Sequence, residues 1–160
     1  MVERKQRVVR LLDEKGVIAP IRKMVKGCSD LRIAVAFWGE GAVKTLRLTG
    51  ARRGRIICNL ESGACNPKEV RKLRASKRLK LKTHAQLHAK IYWSPTAAMV
   101  GSSNASANGL VVDAGVAKGW REANILFRPE SLVAWAAGER LDPAKLFGTV
   151  MEDELKDGAA

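Results

Sequence analysis

Apolar residues in this chain fall into short runs, and these runs alternate with amphipathic stretches. Near-continuous apolar runs, typical of strands covered on both faces, occur at 31–38 (LRIAVAFW) and 55–60 (RIICNL). Shorter runs rich in β-branched and aromatic residues predict four more strands, at 79–81, 88–93, 97–100 and 122–127.

Helical periodicity fills the intervals between these strands. Apolar residues three and four apart, bounded by Gly and Pro, predict helices at 3–15, 20–27, 42–48, 68–76, 129–137 and 143–155. Asn66 is the expected N-cap of the fourth helix, and Pro67 its first position. The alternation predicts an α/β fold with a mixed, largely parallel sheet flanked by helices on both faces. We assign residues 1–160 to one domain and expect 153–160 to form a mobile tail.

Charge narrows the class of partner. The formal net charge is +13 in 160 residues, which favours a polyanionic partner, nucleic acid before an anionic membrane, and DNA before RNA. Solubility alone rarely requires so large an excess of basic over acidic residues. No apolar run approaches the length of a membrane span. The first residues (MVERKQRVVRLL) lack the apolar core of a signal peptide, so we expect a cytoplasmic protein with no membrane partner.

The positive charge is densest between residues 68 and 82, where eight Lys and Arg residues accompany a single acid, Glu69. A charge run is usually a solvated helix face, but one with so few acids would repel itself without an anionic partner. We therefore expect a surface that follows phosphates, formed by Lys68, Arg71, Lys72 and Arg74. A smaller cluster at Arg52, Arg53 and Arg55 is a second candidate.

Cysteine and histidine give no sign of a metal site. Cys28, Cys58 and Cys65 are odd in number and lack CxxC spacing, so buried free thiols are expected. His84 and His88 have no adjacent cluster of carboxylates or thiolates. We expect neither a metal nor another cofactor, and we place His84 at a strand start or near a site entrance. The tryptophans are expected to pack in the core or to stack on bases; they include Trp38, Trp93 and Trp120.

The residues with the most promising chemistry lie between His88 and Asn104. His88 and Lys90 are two apart in a predicted strand, so their side chains should project from the same face. The next strand ends in Gly101-Ser102-Ser103-Asn104, which supplies hydroxyl and amide groups at a strand end. An ammonium, an amide and a hydroxyl can together stabilise an oxyanion, and an imidazole can attack or transfer protons.

This pattern resembles the signature of the phospholipase D superfamily. The matching residues are His88-x-Lys90, then Gly101-Ser102-x-Asn104 and Gly109-Leu110, with Glu122 as the candidate for a later glutamate of the family. The local sequence around these residues is most similar to the nuclease and restriction-enzyme branch. The family motif continues from HxK to an aspartate, and that position is occupied here by Pro95.

The resemblance implies a phosphodiesterase that needs no metal. His88 would form a phosphohistidine, and Glu122 would accept the Nδ1 proton of His88. Lys90, Asn104 and Ser102 would bind the phosphate, with Ser103 facing either phosphate or fold. Because the chemistry needs two histidines and the chain has one HxK motif, a homodimer with a shared site is expected. Two alternatives are a nucleic-acid-binding module that has lost catalysis, supported by Pro95, and a phospholipid phosphodiesterase.

Overall fold

Seven strands form one sheet in the computed structural model, which describes residues 9–110 and 120–128. The strands are β1 (Arg10–Leu12), β2 (Leu31–Val35), β3 (Gly54–Cys58), β4 (Leu79–Thr83), β5 (Lys90–Ser94), β6 (Ala97–Gly101) and β7 (Asn124–Phe127). The helices are α1 (Ile18–Val25), α2 (Ala42–Thr45) and α3 (Pro67–Ala75), with a 3-10 turn at Leu48–Gly50. The helices expected at 129–137 and 143–155, and the tail at 153–160, lie outside the described residues. No helix within the described ranges is long and apolar enough to cross a membrane.

The strand order is β1-β7-β6-β5-β2-β3-β4. The α/β class and the mixed sheet are confirmed, but the expectation of a largely parallel sheet is wrong. Only β2–β3 and β3–β4 are parallel, and the other four pairs are antiparallel. A parallel pair needs a crossover of about a dozen residues or more. The two segments that contain α2 and α3 provide such crossovers, whereas β5 and β6 are joined by a tight turn.

The prediction of a helix at 3–15 is wrong from residue 10 onward. Arg10–Leu12 is an edge strand, antiparallel to β7, with Leu11 opposite Ile125. Leu12 is 7% exposed and Leu11 is 78% exposed, which is the alternation of a strand. The sequence could not distinguish the two structures because the apolar residues before Gly16 suit either period. Residues 3–8 lie outside the described ranges.

The core is divided by the sheet. On one face, residues such as Ile33, Ile56, Tyr92 and Met99 pack against all three described helices, which contribute Ile21, Met24, Val25, Ala42 and Leu73. Each fully buried large side chain contributes about 1.5–3 kcal/mol. The opposite face has two smaller clusters, one around Ala34, Ile57 and Ile91 and one around Trp93, Ala98 and Phe127. No described helix contributes to these clusters, so the helices expected on this face remain a prediction.

The third helix begins as its sequence predicts. The Asn66 side chain accepts a hydrogen bond from the Lys68 amide at 2.9 Å, and Pro67 occupies the first turn. This cap fixes the end of the loop that follows β3. Ala64, two residues before Asn66, lies in the wall of the cleft described below.

Candidate active site

The motif residues come together at one end of the central strands of the sheet. Val35 of β2 is opposite Lys90 of β5, and Gly101 of β6 is opposite Asn124 of β7. The carboxyl ends of β2 and β6 therefore lie beside the amino ends of β5 and β7. His88, Lys90, the 101–104 segment and Glu122 lie at this end of the strands.

His88 and Lys90 lie side by side, as their spacing predicts. Lys90 Nζ is 3.2 Å from His88 Nε2 and donates to the His88 carbonyl at 2.9 Å. An ammonium has three donors and no acceptor. With Lys90 charged, Nε2 must therefore be the accepting nitrogen, which leaves the proton of a neutral imidazole on Nδ1. The His88 ring is solvent-exposed and contacts Phe37 edge-on, with centroids 6.1 Å apart.

Lys90 is an unusual cation because it is 9% exposed and forms no ion pair among the described residues. Burial lowers the pKa of its ammonium, and the nearby Glu122 charge acts in the opposite direction. Its Nζ also lies 5.8 Å from the centre of the Phe37 ring. A partly desolvated ammonium of this kind interacts more strongly with an arriving anion than one in bulk water does.

Glu122 contacts a serine and not the histidine. Its carboxylate accepts a hydrogen bond from Ser102 Oγ, and Ser102 Oγ in turn accepts from the Ala123 amide at 3.0 Å. Within the described residues no hydrogen bond joins Glu122 to His88. The role expected for Glu122, acceptor of the Nδ1 proton, is therefore not what this geometry provides. Lys90 is the group that orients the imidazole here.

The two serines face different surroundings. Ser102 is exposed, whereas Ser103 is fully buried and exchanges hydrogen bonds with Asn124. The Asn124 amide nitrogen donates to Ser103 Oγ at 2.8 Å, and its oxygen accepts from the Ser103 amide at 3.3 Å. The Ser103 carbonyl accepts from the buried Tyr92 hydroxyl at 3.1 Å. Ser103 and Asn124 thus fix the backbone of the 101–104 segment, and contact of Ser102 with phosphate remains a prediction.

A cleft of about 380 Å³ opens beside this end of the strands, lined by Phe37, Gly39, Ala64, Asn104, Ser106, Asn108, Gly109, Trp120, Arg121 and Glu122. The Asn104 Oδ1 atom is buried and has no hydrogen-bond partner among the described residues. Buried polar atoms are rarely left unpaired. This atom is an acceptor and cannot donate to a phosphate oxygen, so contact of the Asn104 side chain with phosphate remains a prediction. Trp120 is 68% exposed in the cleft wall, whereas Trp38 and Trp93 are buried. Among the tryptophans of the described ranges, Trp120 is therefore the exposed one, and stacking of its ring on a base remains a prediction.

Glu14 belongs to this site although nothing in its sequence context indicates it. Its side chain is 5% exposed. One carboxylate oxygen accepts from the Glu122 amide at 3.3 Å, and the other accepts from Arg121 Nη1 at 3.0 Å. Hydrogen bonds from its own backbone amide and from the Glu122 amide hold the pKa of Glu14 below its usual value. Glu14 therefore fixes the segment that presents Glu122, from more than a hundred residues away.

Replacing Glu14 by Gln should lower the turnover number of a phosphodiesterase reaction about tenfold, as expected for the loss of one charge-assisted hydrogen bond. KM should change little, because Glu14 does not line the cleft. The matched control is Asp13→Asn, since the Asp13 carboxylate bonds only the amides of its own turn. Steady-state kinetics separate the two parameters. An equal loss in both variants, or a change confined to KM, would contradict a positioning role.

Pro95 lies at the opposite end of the sheet from His88. It is exposed in the turn between β5 and β6. From Lys90 to Ser94 β5 spans about 13 Å, and Pro95 lies beyond that far end. Ser94 stabilises that turn, since its hydroxyl accepts from the Ala97 amide at 3.2 Å. An aspartate at position 95 could not contact the described site residues directly. The proline is thus a weaker argument against activity than the sequence pattern suggests.

The cations expected to follow phosphates are exposed on α3, and none of them lines the cleft. They are Lys68, Arg71, Lys72 and Arg74. Lys72 also pairs with the buried Glu69 at 2.6 Å, and Glu69 accepts from the Val43 amide at 2.9 Å. Burial raises the pKa of Glu69, but the hydrogen bonds from Lys72 and Val43 bring it below its usual value. Lys72 therefore has a structural role besides any contact with phosphate.

The remaining histidine and the thiols do not line the cleft. His84 follows β4 and accepts a hydrogen bond from the Gln86 amide at 3.1 Å through Nδ1. The three cysteines form no disulfide. A hydrogen bond from the Cys58 thiol lowers the pKa of Cys65 to about 7. Cys65 is partly exposed.

No family model and no curated protein matches the sequence, but solved structures match the fold. TrmBL2, an archaeal chromatin protein with a novel mode of DNA binding, has a TM-score of 0.52 and 13% identity over 96% of this chain and 55% of its own. Polyphosphate kinase from Porphyromonas gingivalis has a TM-score of 0.51 and 10% identity over 79% of this chain and 24% of its own. Yeast tyrosyl-DNA phosphodiesterase has a TM-score of 0.45 and 14% identity over 74% of this chain and 31% of its own.

The likenesses to TrmBL2 and to polyphosphate kinase, each with a TM-score above 0.5, show the fold of the chain. Polyphosphate kinase and tyrosyl-DNA phosphodiesterase are both members of the phospholipase D superfamily. The likeness to polyphosphate kinase therefore gives this chain a phospholipase D-like fold. The chain spans 55% of the chromatin protein and 24% of the kinase, so it corresponds to one part of each.

Proposed function

We propose that this protein is a phosphodiesterase that cleaves nucleic acid without a metal ion, with His88 as the nucleophile. The observation that carries the proposal is the contact of 3.2 Å between Lys90 Nζ and His88 Nε2 at the edge of the cleft. It joins an accepting imidazole nitrogen to a buried ammonium, the two groups needed to attack phosphorus and to neutralise its oxygens.

The reaction has two displacements. A ring nitrogen has one lone pair, so the hydrogen bond from Lys90 to His88 Nε2 breaks as Lys90 turns to the phosphate oxygens. His88 Nε2 then attacks phosphorus with that lone pair, the N–P bond forms, and the P–O ester bond breaks. A second histidine protonates the departing oxygen. The second histidine, now neutral, takes a proton from water as the water oxygen attacks phosphorus. The N–P bond breaks, and both imidazoles return to their starting states. Lys90, Asn104 and Ser102 bind the non-bridging oxygens, on which negative charge increases in each transition state.

The second histidine is supplied by a second copy of the chain. His84 is the only other histidine in the sequence, and its Nδ1 is engaged with the Gln86 amide. A two-fold axis at the cleft edge would place two copies of His88 on opposite sides of one phosphorus. His88 is solvent-exposed, as a group that meets a second copy must be in the isolated chain.

Nucleic acid is the substrate class that the surface favours, and DNA is the first choice within it. The net charge of +13 and the exposed cations of α3 suit a long polyanion. The exposed Trp120 in the cleft wall gives a base a ring to stack on. An archaeal chromatin protein that binds DNA has the same fold. A lipid substrate would need an apolar docking surface beside the cleft, and half of the residues that line the cleft are polar or charged.

Purified protein incubated with end-labelled DNA and RNA, single- and double-stranded, should cleave at least one of them at full rate in EDTA. The reason is that the donors at the site are Lys, His, Asn and Ser, whereas magnesium sites are built from oxygen ligands with one or two carboxylates. Gel analysis with and without added magnesium is the measurement. Cleavage that begins only when magnesium or manganese is added would contradict the metal-free reaction. Binding of DNA without any cleavage would indicate the module that has lost catalysis.

A further inference from the structure

Three cations from distant parts of the sequence form a row across the sheet. Arg32 of β2 is opposite Arg55 of β3, and Arg55 is opposite Lys80 of β4. Because residues in register share a face, all three side chains project from the sheet face opposite to α1, α2 and α3. We call these residues the cation row. Trp93 of β5 continues the same line, and the Arg32 guanidinium lies 4.4 Å from its ring centre.

The charge of the cation row is only partly balanced. Asp30 pairs with Arg32 at 2.7 Å and with Arg55 at 3.4 Å. Lys80 is exposed and has no ion pair among the described residues. Three cations against one carboxylate leave two positive charges in excess, and like charges directly opposite on neighbouring strands are destabilising. This arrangement therefore costs stability unless an anion neutralises it.

Protection of a sheet edge explains one of the three residues. β4 is an edge strand, and lysines on an edge discourage pairing with other chains. Lys80 could serve that purpose alone. Arg32 and Arg55 lie on strands with neighbours on both sides, where no edge needs protection. Arg32 pairs with Asp30 and packs on Trp93, so the exposed charges that a ligand would neutralise are those of Arg55 and Lys80.

We propose that the cation row is a second binding surface for the phosphate backbone of the nucleic-acid substrate, separate from the cleft. This inference rests on the proposed function for the identity of the polyanion. The row lies three residues, or about 10 Å, from the carboxyl end of β2, where the candidate site begins. At about 3.4 Å per nucleotide along a strand, one strand of nucleic acid reaches from the cleft to the row within a few nucleotides.

The test is the salt dependence of binding to a fluorescein-labelled single-stranded oligodeoxynucleotide, measured by anisotropy. All proteins carry His88→Ala, so that cleavage does not interfere. Adding Arg55→Gln and Lys80→Gln should lower the slope of log Kd against log salt by about 1.4, since each phosphate contact on a single strand contributes about 0.7. Arg32 stays unchanged because it packs on Trp93 and Asp30.

The matched control is Lys15→Gln with Lys26→Gln, which removes the same charge from exposed positions away from this face. A slope equal to that of the control pair would overturn the proposal. Aggregation of Lys80→Gln with an unchanged slope would assign that lysine to edge protection and would also overturn it. Should the double variant not fold, Lys80→Gln alone should still lower the slope by about 0.7. Because this experiment measures binding and not cleavage, its result is independent of whether the protein is a nuclease.

Discussion

Replacing His88 by Ala should abolish cleavage of nucleic acid, with a loss of at least about a thousandfold in kcat. No other described side chain at the cleft edge offers a nucleophilic nitrogen that is both exposed and hydrogen-bonded to an ammonium. His84→Ala is the matched control, because His84 is the only other histidine and should leave the rate nearly unchanged. Single-turnover cleavage of labelled DNA measures both variants, and thermal unfolding should show that both fold.

Mixed dimers extend this prediction to the second copy of the chain. A heterodimer of wild-type and His88→Ala chains has one imidazole where the reaction needs two, so it should retain far less than half of the wild-type rate. Differently tagged chains allow the heterodimer to be isolated, and light scattering gives the mass in solution. A heterodimer with half the wild-type rate, or an active monomer, would show that each chain works alone.

Replacing Gly101 by Ala should destabilise the protein by about 3 kcal/mol, at the upper end of what overpacking a core costs. A Cβ at this position would meet the Ala123 carbonyl oxygen at 2.5 Å and the Asn124 Cα at 2.6 Å. Both atoms belong to the backbone beside β6, and they cannot move without breaking the β6–β7 ladder. The same displacement would move Ser102 and Asn104. Urea denaturation measures the free energy of unfolding.

Gly50→Ala is the control for this substitution. Its added Cβ would come no closer than 4.0 Å to another group, the Val25 side chain, so the free energy of unfolding should stay nearly constant. A similar loss in both variants would mean that the Gly101 position is not specifically crowded. The comparison therefore tests whether the motif glycine is required by the close approach of two strands.

Local features of the site could be predicted from sequence. The side-by-side placement of His88 and Lys90 was predicted from their spacing of two, and the contact of 3.2 Å confirms it. The strand itself begins at Lys90, so His88 lies in the loop just before β5. The start of α3 at Asn66 and Pro67 also depends on adjacent residues only. Such features are set by interactions within a few residues, which the order of residue types specifies directly.

Contacts between distant segments could not be predicted. The sequence assigned the Glu122 carboxylate to His88, but it bonds to Ser102, because the loop before β7 approaches the end of β6. Glu14 gave no signal at all, since its contacts with Arg121 and Glu122 depend on the pairing of β1 with β7. The role of Asn124 could not be predicted either, because its hydrogen bonds to Ser103 depend on the pairing of β6 with β7.

The sequence by itself determined the central buried strands, which residues resemble the phospholipase D pattern, and that the chain is strongly basic. The tertiary structure decided strand direction, the partner of each polar group, and the alignment of Arg32, Arg55 and Lys80 across three strands. The physical reason is the range of the interactions. Periodicity and capping act within a few residues, whereas strand order depends on which apolar faces can be buried together, and a single segment does not contain that information.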